Sequence, residues 1–290
     1  MSDEIGAPAR HSAAVVTEAP AVRLVLTLAA VALIGAILIL PLAVVFANAF
    51  ARGLAGFLKA FEDENTVAAI WLSLTVAAVA VPFNTIVGVA IAWAVARFQF
   101  AGRNLLLALV DLPFSVSPVV SGLVYVLIFG AQGLIGPWLA DHGIKVIFAV
   151  PGLVLATTFV TFPFVARELI PLMQTQGSAE EAVALTLGAS PLRMFLTVTL
   201  PNVKWALVTG VLLCNARALG EFGAVSVVSG HVRGLTNTMP LQVEALFNDY
   251  QTTASFALAA VLAAVALLTL VAKVALAWTF ADEIAAHRRH

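Results

Sequence analysis

The sequence predicts an all-α, polytopic membrane protein with six transmembrane helices. Composition is the first reason. Of 290 residues, 61% are hydrophobic and only 11% charged, and mean hydropathy is +1.02. A soluble domain carries about 25% charged residues. Length of the apolar runs is the second reason. Several exceed about 18 residues, enough to cross the hydrocarbon layer as helix. The third is an uneven placement of Lys and Arg along the polar connections. A net charge of −1 supplies no basic field for nucleic acid. Cys214 is the only cysteine, which excludes an internal disulfide and a multi-cysteine metal site.

The elements follow in chain order. Residues 1–22 are polar, small and Pro-containing, and read as a disordered tail. Residues 23–66 hold the first span, Arg23 to Ala51, and a charged segment in which Phe57, Leu58 and Phe61 suggest a short interfacial helix. That first apolar run, about 28 residues, is too long for a signal-peptide core. Residues 67–280 hold the other five spans. Span two is Val67–Ala96, and span three is Asn104–Gly130, interrupted by Pro113 and Pro118. Span four is Val146–Ala166, span five Trp205–Ser229 and span six Ala254–Phe280. Residues 281–290 are a second tail.

Six spans put both termini on one side. That side then carries Arg10, Arg23, Arg97, Arg103, Arg167, Arg193, Lys204, Lys273, Arg288 and Arg289. The opposite side carries Arg52, Lys59, Lys145 and Arg233. The excess orients the termini toward the cytoplasm.

The longest ordered polar stretch is Ser178–Pro201. Ser178 and Glu181 have the spacing of a capping box. Gly188 stands where a left-handed helix cap is expected. Ser190 and Pro191 then fit the N-cap and first residue of a new helix. Leu200-Pro201 closes the unit. On the predicted topology this helix–glycine–helix hairpin is cytoplasmic and suited to dock a partner.

Three further places carry polar groups. In span five, Arg217 and Glu221 are four residues apart and can pair on one helical face. Each charge at a bilayer centre costs roughly 2.5–3.5 kcal/mol on insertion scales. With Gly210 and Cys214 they form a stripe that should meet a partner helix or a cavity. Either Arg217 faces a translocation route and suits an anion, or the pair ties two helices together. In span three, Asp111, Ser115 and Pro118 share a face, and the prolines kink or unwind the helix. This is either a pathway element or a kinked structural helix with Asp111 near the cytoplasmic interface. The polar loop Gly230–Thr253 carries His231, Arg233, Glu244 and Asp249, and either receives a delivering protein or is merely solvated. His231 stands alone, without ligands at zinc spacing.

The chain has no Gly-Lys-Ser/Thr triplet, so it cannot bind ATP in the P-loop manner. His-Glu-x-x-His and Gly-x-Ser-x-Gly are also absent, which leaves no obvious hydrolase site. If the protein uses chemical energy, another subunit must supply it.

The Ser178–Pro201 hairpin resembles the EAA loop of type I ABC importer permeases. Gly188, Val198, Leu200 and Pro201 fall at the family spacing. At the front, Ala182 stands where the family has Glu, and Val183 and Ala184 occupy the two Ala positions. The acidic pair Glu180-Glu181 sits one or two residues earlier. Residues Asn215–Gly234 and Thr236–Tyr250 are similar to the CysW-type permeases of sulfate and thiosulfate importers. The resemblance covers about residues 25–280. It implies a heterodimer with a CysT-type permease, two copies of an ATPase that binds ATP and Mg, and a periplasmic sulfate- or thiosulfate-binding protein. No cofactor is implied in this chain. It also implies alternating access driven through the docked hairpin in the inner membrane, with Gly188 and Pro201 as limits of its movement. The other readings are a molybdate or tungstate permease and an ion-coupled secondary transporter using Glu221 or Asp111. No inverted repeat supports the latter.

Overall fold

A computed structural model describes residues 20–279. The first 19 residues and the tail from 280 onward lie outside it, so the expected polar tails fall almost wholly beyond the described residues. Among the described residues every regular element is helical. They are α1 (Pro20–Ala49), α2 (Gly53–Lys59), α3 (Glu64–Arg97), α4 (Arg103–Ser115), α5 (Pro118–Phe129), α6 (Gly136–Asp141), α7 (Val150–Thr161), α8 (Pro163–Gln176), α9 (Ala179–Thr186), α10 (Pro191–Met194), a π-helical turn (Phe195–Thr199), α11 (Leu200–Leu219), α12 (Gly223–Ser229), α13 (Met239–Asn248) and α14 (Thr252–Thr279). The chain divides into two units at Val44/Val45. The first contains most of α1, an apolar helix with Pro41 inside it. The second contains everything that follows.

Five helical stretches are long and apolar enough to span a bilayer, and a sixth crossing results if α4 and α5 count as one broken span. Those two are bent by 107°. Span three is therefore a broken pair rather than one kinked rod. Pro118 cannot donate a backbone hydrogen bond, and the residue before a proline avoids helical geometry. Ser117 accordingly sits at ψ 132.

The second unit is built around α3, whose N-terminus is capped by the Asp63 carboxylate accepting from Thr66 N at 2.9 Å. Its buried face runs Ala69, Ser73, Ala77, Val81, Asn84, Gly88 and Ala92, with small residues near every fourth position. Such a stripe lets backbones approach closely in a membrane, where burial from water gives no drive to helix pairing. A Cβ on Gly88 would stand 2.8 Å from Val165 Cβ, and one on Gly210 would lie 3.1 Å from Val165 Cα. Gly88 of α3 and Gly210 of α11 thus clasp α8 from two sides. The principal core joins α3, α4, α8, α11, α13 and α14 through residues such as Val95, Leu169, Met173, Val203 and Leu258. A second cluster joins α7 to α12 through Leu153, Ala156, Ala224 and Val228.

Several boundaries differ from the sequence expectation. Span four continues through Pro163 to Gln176, so Arg167 lies inside a helix, not in a connecting loop. A proline in the first helical turn costs no hydrogen bond, which is why Pro163 does not end it. Span five starts earlier and is broken: a long helix runs from Pro191 to Leu219, and α12 follows after a break at Gly220–Phe222, in place of one helix from Trp205 to Ser229. Leu200-Pro201 does not close the hairpin, because the π turn carries the helix across Pro201. Leu200 N donates to Phe195 O, five residues back. That wider turn absorbs the donor that Pro201 lacks. The middle of the polar loop after α12 is buried: Thr236, Asn237, Thr238, Met239, Leu241 and Gln242 are all enclosed, and Met239 N donates to Ser73 Oγ at 2.7 Å.

Candidate functional site

The hairpin begins with Ser178 as N-cap of α9, but its side chain makes no capping hydrogen bond. Glu181 does not complete a capping box either. It turns inward and is 7% exposed. Arg97 Nε donates to Glu181 Oε2 at 2.7 Å, and Thr199 Oγ1 donates to Oε1 at 2.8 Å. Arg97 also donates through Nη1 to Met173 O. Arg97 and Glu181 together thereby join the end of α3, the last turns of α8, the hairpin helix α9 and the π turn before α11. A charge-assisted bond out of water outweighs a solvated cap worth about 1 kcal/mol, so the carboxylate goes to Arg97. Glu180 stays outside and accepts from Asn202 Nδ2.

Gly188 has φ +88, and the cap read from the sequence is present. Gly188 N donates to Leu185 O and Ala189 N to Ala184 O, both at 3.0 Å. These two bonds form a Schellman closure. Ser190 Oγ then accepts from Arg193 N, with Pro191 opening α10. Ala182 lies within α9 and its N donates to Ser178 O. The outer face of the hairpin is apolar. Val183 is 57% exposed, Leu187 83% and Leu192 69%. Exposed apolar side chains of this kind mark an interaction surface.

The two broken spans meet. A Cβ on Gly223 would lie 3.0 Å from Pro118 Cβ, and one on Gly122 would lie 2.7 Å from Ala224 O. The start of α5 is therefore packed against the start of α12. Span five breaks at Gly220–Phe222, so Arg217 ends α11 while Glu221 lies in the break. They pair all the same, with Nη1–Oε2 at 2.7 Å. Glu221 Oε1 also accepts from Ala224 N at 3.0 Å and so caps α12. Its side chain is fully buried, whereas that of Arg217 is 35% exposed. One turn before Arg217, Cys214 is enclosed by Asn84 and Thr161, as a small residue at a helix contact. On α4, Asp111 pairs with Arg167 of α8 at 3.5 Å, and Ser115 Oγ turns back to Asp111 O.

Residues 84–279 match the family model described as "Binding-protein-dependent transport system inner membrane component". The chain belongs to that family. It is 51% identical over 247 residues to the sulfate transport system permease protein CysW of Escherichia coli K12, covering 85% of each chain. It is likewise 51% identical over 237 residues to the CysW protein of Synechocystis, covering 82% of this chain and 86% of that one. The CysT permease of E. coli K12 is 37% identical over 234 residues, 81% of this chain and 84% of that one. Among solved structures, a bacterial alginate ABC transporter bound to its periplasmic protein gives a TM-score of 0.68 at 16% identity. The alignment covers 90% of this chain and 95% of that one, and it shows the fold.

The permease thus gathers its sequence-singled residues into three places. Ser178, Glu180, Glu181, Ala182, Ala184, Gly188, Ser190 and Pro191 form the hairpin, while Leu200 and Pro201 lie within the span that follows it. Pro118, Arg217 and Glu221 lie around the meeting of the broken spans, while Asp111 and Ser115 stand apart on α4, where Asp111 meets Arg167. Sequence reasoning missed Arg97, Thr199 and Arg167. Arg97 and Arg167 were counted only as charges setting orientation, and nothing local in the chain pairs Arg97 with a residue 84 positions away. The burial of α13 had a signal. Thr238-Met239-Pro240 is a helix start, and Met239, Gln242, Val243 and Leu246 recur at helical spacing.

Proposed function

We propose that this permease is one of two membrane subunits of an ATP-driven importer of sulfate and thiosulfate. The observation that carries the substrate is the 51% identity, across 85% of both chains, to a sulfate transport permease. The second subunit is a CysT-type permease, two copies of an ATPase bind the cytoplasmic hairpins, and a periplasmic binding protein delivers the anion. ATP and Mg belong to the ATPase and supply the energy for domain movement. Both termini face the cytoplasm, on the Lys and Arg excess of the connecting segments.

The hairpin is the transmission. Its exposed Val183, Leu187 and Leu192 seat against the ATPase. The buried Arg97–Glu181–Thr199 contact makes α9, α3, α8 and α11 respond together rather than one by one. Gly188 sets the angle between the two arms. The broken spans line the route, where interrupted backbone is tolerated because it meets protein or water. Arg217, partly exposed beside the break, offers the anion a cation already compensated by Glu221.

The test is uptake of labelled sulfate in a strain lacking the chain, with thiosulfate and molybdate as competitors. Restored uptake that thiosulfate suppresses and molybdate does not is the expected result. Suppression by molybdate alone would assign a different oxyanion. Arg217→Lys, with a point charge in place of a planar fork, should lower uptake and change competitor preference. Unchanged preference would leave Arg217 a purely structural partner of Glu221.

A further inference from the structure

The Arg167–Asp111 pair sits in an unusual setting. The helix contacts give its depth. Along α3, Asn84 meets Thr161 and Gly88 meets Val165, while Arg97 meets Met173. Helices α7 and α8 therefore run alongside α3 in the same direction. Arg167 falls about two residues beyond the Gly88 level, roughly 10 Å short of the Arg97 end at 1.5 Å per residue. Cys214 is level with Asn84, so Arg217 lies further out, near the middle of α3. The two arginines are thus staggered along the span by about 13 Å.

Around Arg167 the surface is apolar. On α4, Leu109 is 49% exposed and Phe114 48%. Amid these, the side chains of Arg167 and Asp111 are 57% and 58% exposed. Charges on the flank of a span do not face lipid tails; they turn to a protein partner or to water. The pair is also loose. Its Nε–Oδ1 separation is 3.5 Å, against 2.7 Å in both the Arg217–Glu221 and Arg97–Glu181 pairs. The Arg167 guanidinium lies over the Phe114 ring, 4.7 Å from its centroid. Among the described residues, the Nη donors of Arg167 make no hydrogen bond. A planar fork with open donors, held on an aromatic face beside a weakly attached carboxylate, fits a tetrahedral oxyanion.

We propose that Arg167 is an inner anion station of the translocation route, and that Asp111 is the counter-charge an arriving oxyanion displaces. This rests on the reading of the chain as an oxyanion importer subunit. The anion passes from the Arg217 level to Arg167, and the Asp111 carboxylate swings back to the guanidinium when it leaves toward the cytoplasm. The carboxylate neutralises the empty station and keeps it from holding the anion too tightly.

The test uses the assembled importer with its second permease, ATPase and binding protein, in proteoliposomes. Asp111→Cys places a thiol beside Arg167, and Cys214 in the unsubstituted chain is the buried control. An anionic methanethiosulfonate should label Cys at this position about tenfold faster than a cationic one of similar size, because Arg167 concentrates anions locally. Sulfate should slow the anionic reagent, and Arg167→Gln in the same background should erase the preference. Exclusion of both reagents would mean the pair is sealed against the second permease, and would overturn the proposal. Equal rates, or a cationic preference, would also overturn it. In parallel, Arg167→Gln alone should cut sulfate uptake at least about tenfold while ATP hydrolysis stimulated by the binding protein persists. Uptake at the unsubstituted rate would overturn the station. If the unsubstituted importer takes up no sulfate at all, the importer reading fails instead, and the labelling result still decides whether Arg167 attracts anions.

Discussion

Glu181 shows how far a single residue can depart from its local pattern. Ser178 and Glu181 have capping-box spacing, yet the carboxylate is buried against Arg97 and Thr199. Glu181→Ala would leave the guanidinium enclosed without its partner, a change that costs about 3–5 kcal/mol. The purified complex should lose thermal stability by that order, while Glu180→Ala, on the exposed side, should change it little. Equal effects would remove the special role of the inward carboxylate. Gly188 is the second decisive residue. Nothing lies within 4 Å of a Cβ built there, so only the backbone opposes a side chain. Valine at φ +88 would be strained by about 1–3 kcal/mol, and asparagine by less. Gly188→Val should insert and fold but couple ATP hydrolysis poorly to uptake. Normal transport by that variant would show that the arm angle is not critical.

At the scale of elements, the crossing of α5 and α12 leaves no room for a side chain at Gly122. Gly122 sits 2.7 Å, at its absent Cβ, from the Ala224 carbonyl. Even Gly122→Ala must push the helices apart, with an overpacking cost of about 1–3 kcal/mol. Uptake and complex stability should fall together, and a neutral substitution would show that the crossing is loose. The segment from Gly230 to α13 carries a clasp of a different kind. Arg233 donates to Asp249 Oδ2 at 2.6 Å, and this hydrogen bond holds the exposed carboxyl below the usual range. A depressed carboxyl contributes stability above its unfolded pKa and loses it as pH falls through the folded value. Hydrogen exchange in residues 230–250 should therefore rise on acidification below the normal carboxylate range. Asp249→Asn should remove that pH dependence.

For the molecule as a whole, the apolar hairpin face and the exposed charges on its spans both call for other subunits. Affinity purification of the intact chain should recover an ATPase and a second permease. Replacing Leu187 and Leu192 together with serine should release the ATPase and leave the second permease bound. Retention of the ATPase would place its seat elsewhere.

The fold class, the family and the hairpin were legible in the residues themselves. Apolar runs at bilayer length, the Gly188–Pro201 spacing and the Ser190-Pro191 start are all local, and local geometry follows from local sequence. What the tertiary structure decided was pairing over distance. The Arg97–Glu181 contact joins residues 84 apart, and the π turn at Pro201 continues a helix where a break was expected. The enclosure of Thr236–Gln242 depends on a hydroxyl supplied by Ser73. The Arg97–Glu181 and Met239–Ser73 contacts are each a choice between a solvated local bond and a buried distant one. Only the packed helices, by excluding water, make the distant partner the better of the two.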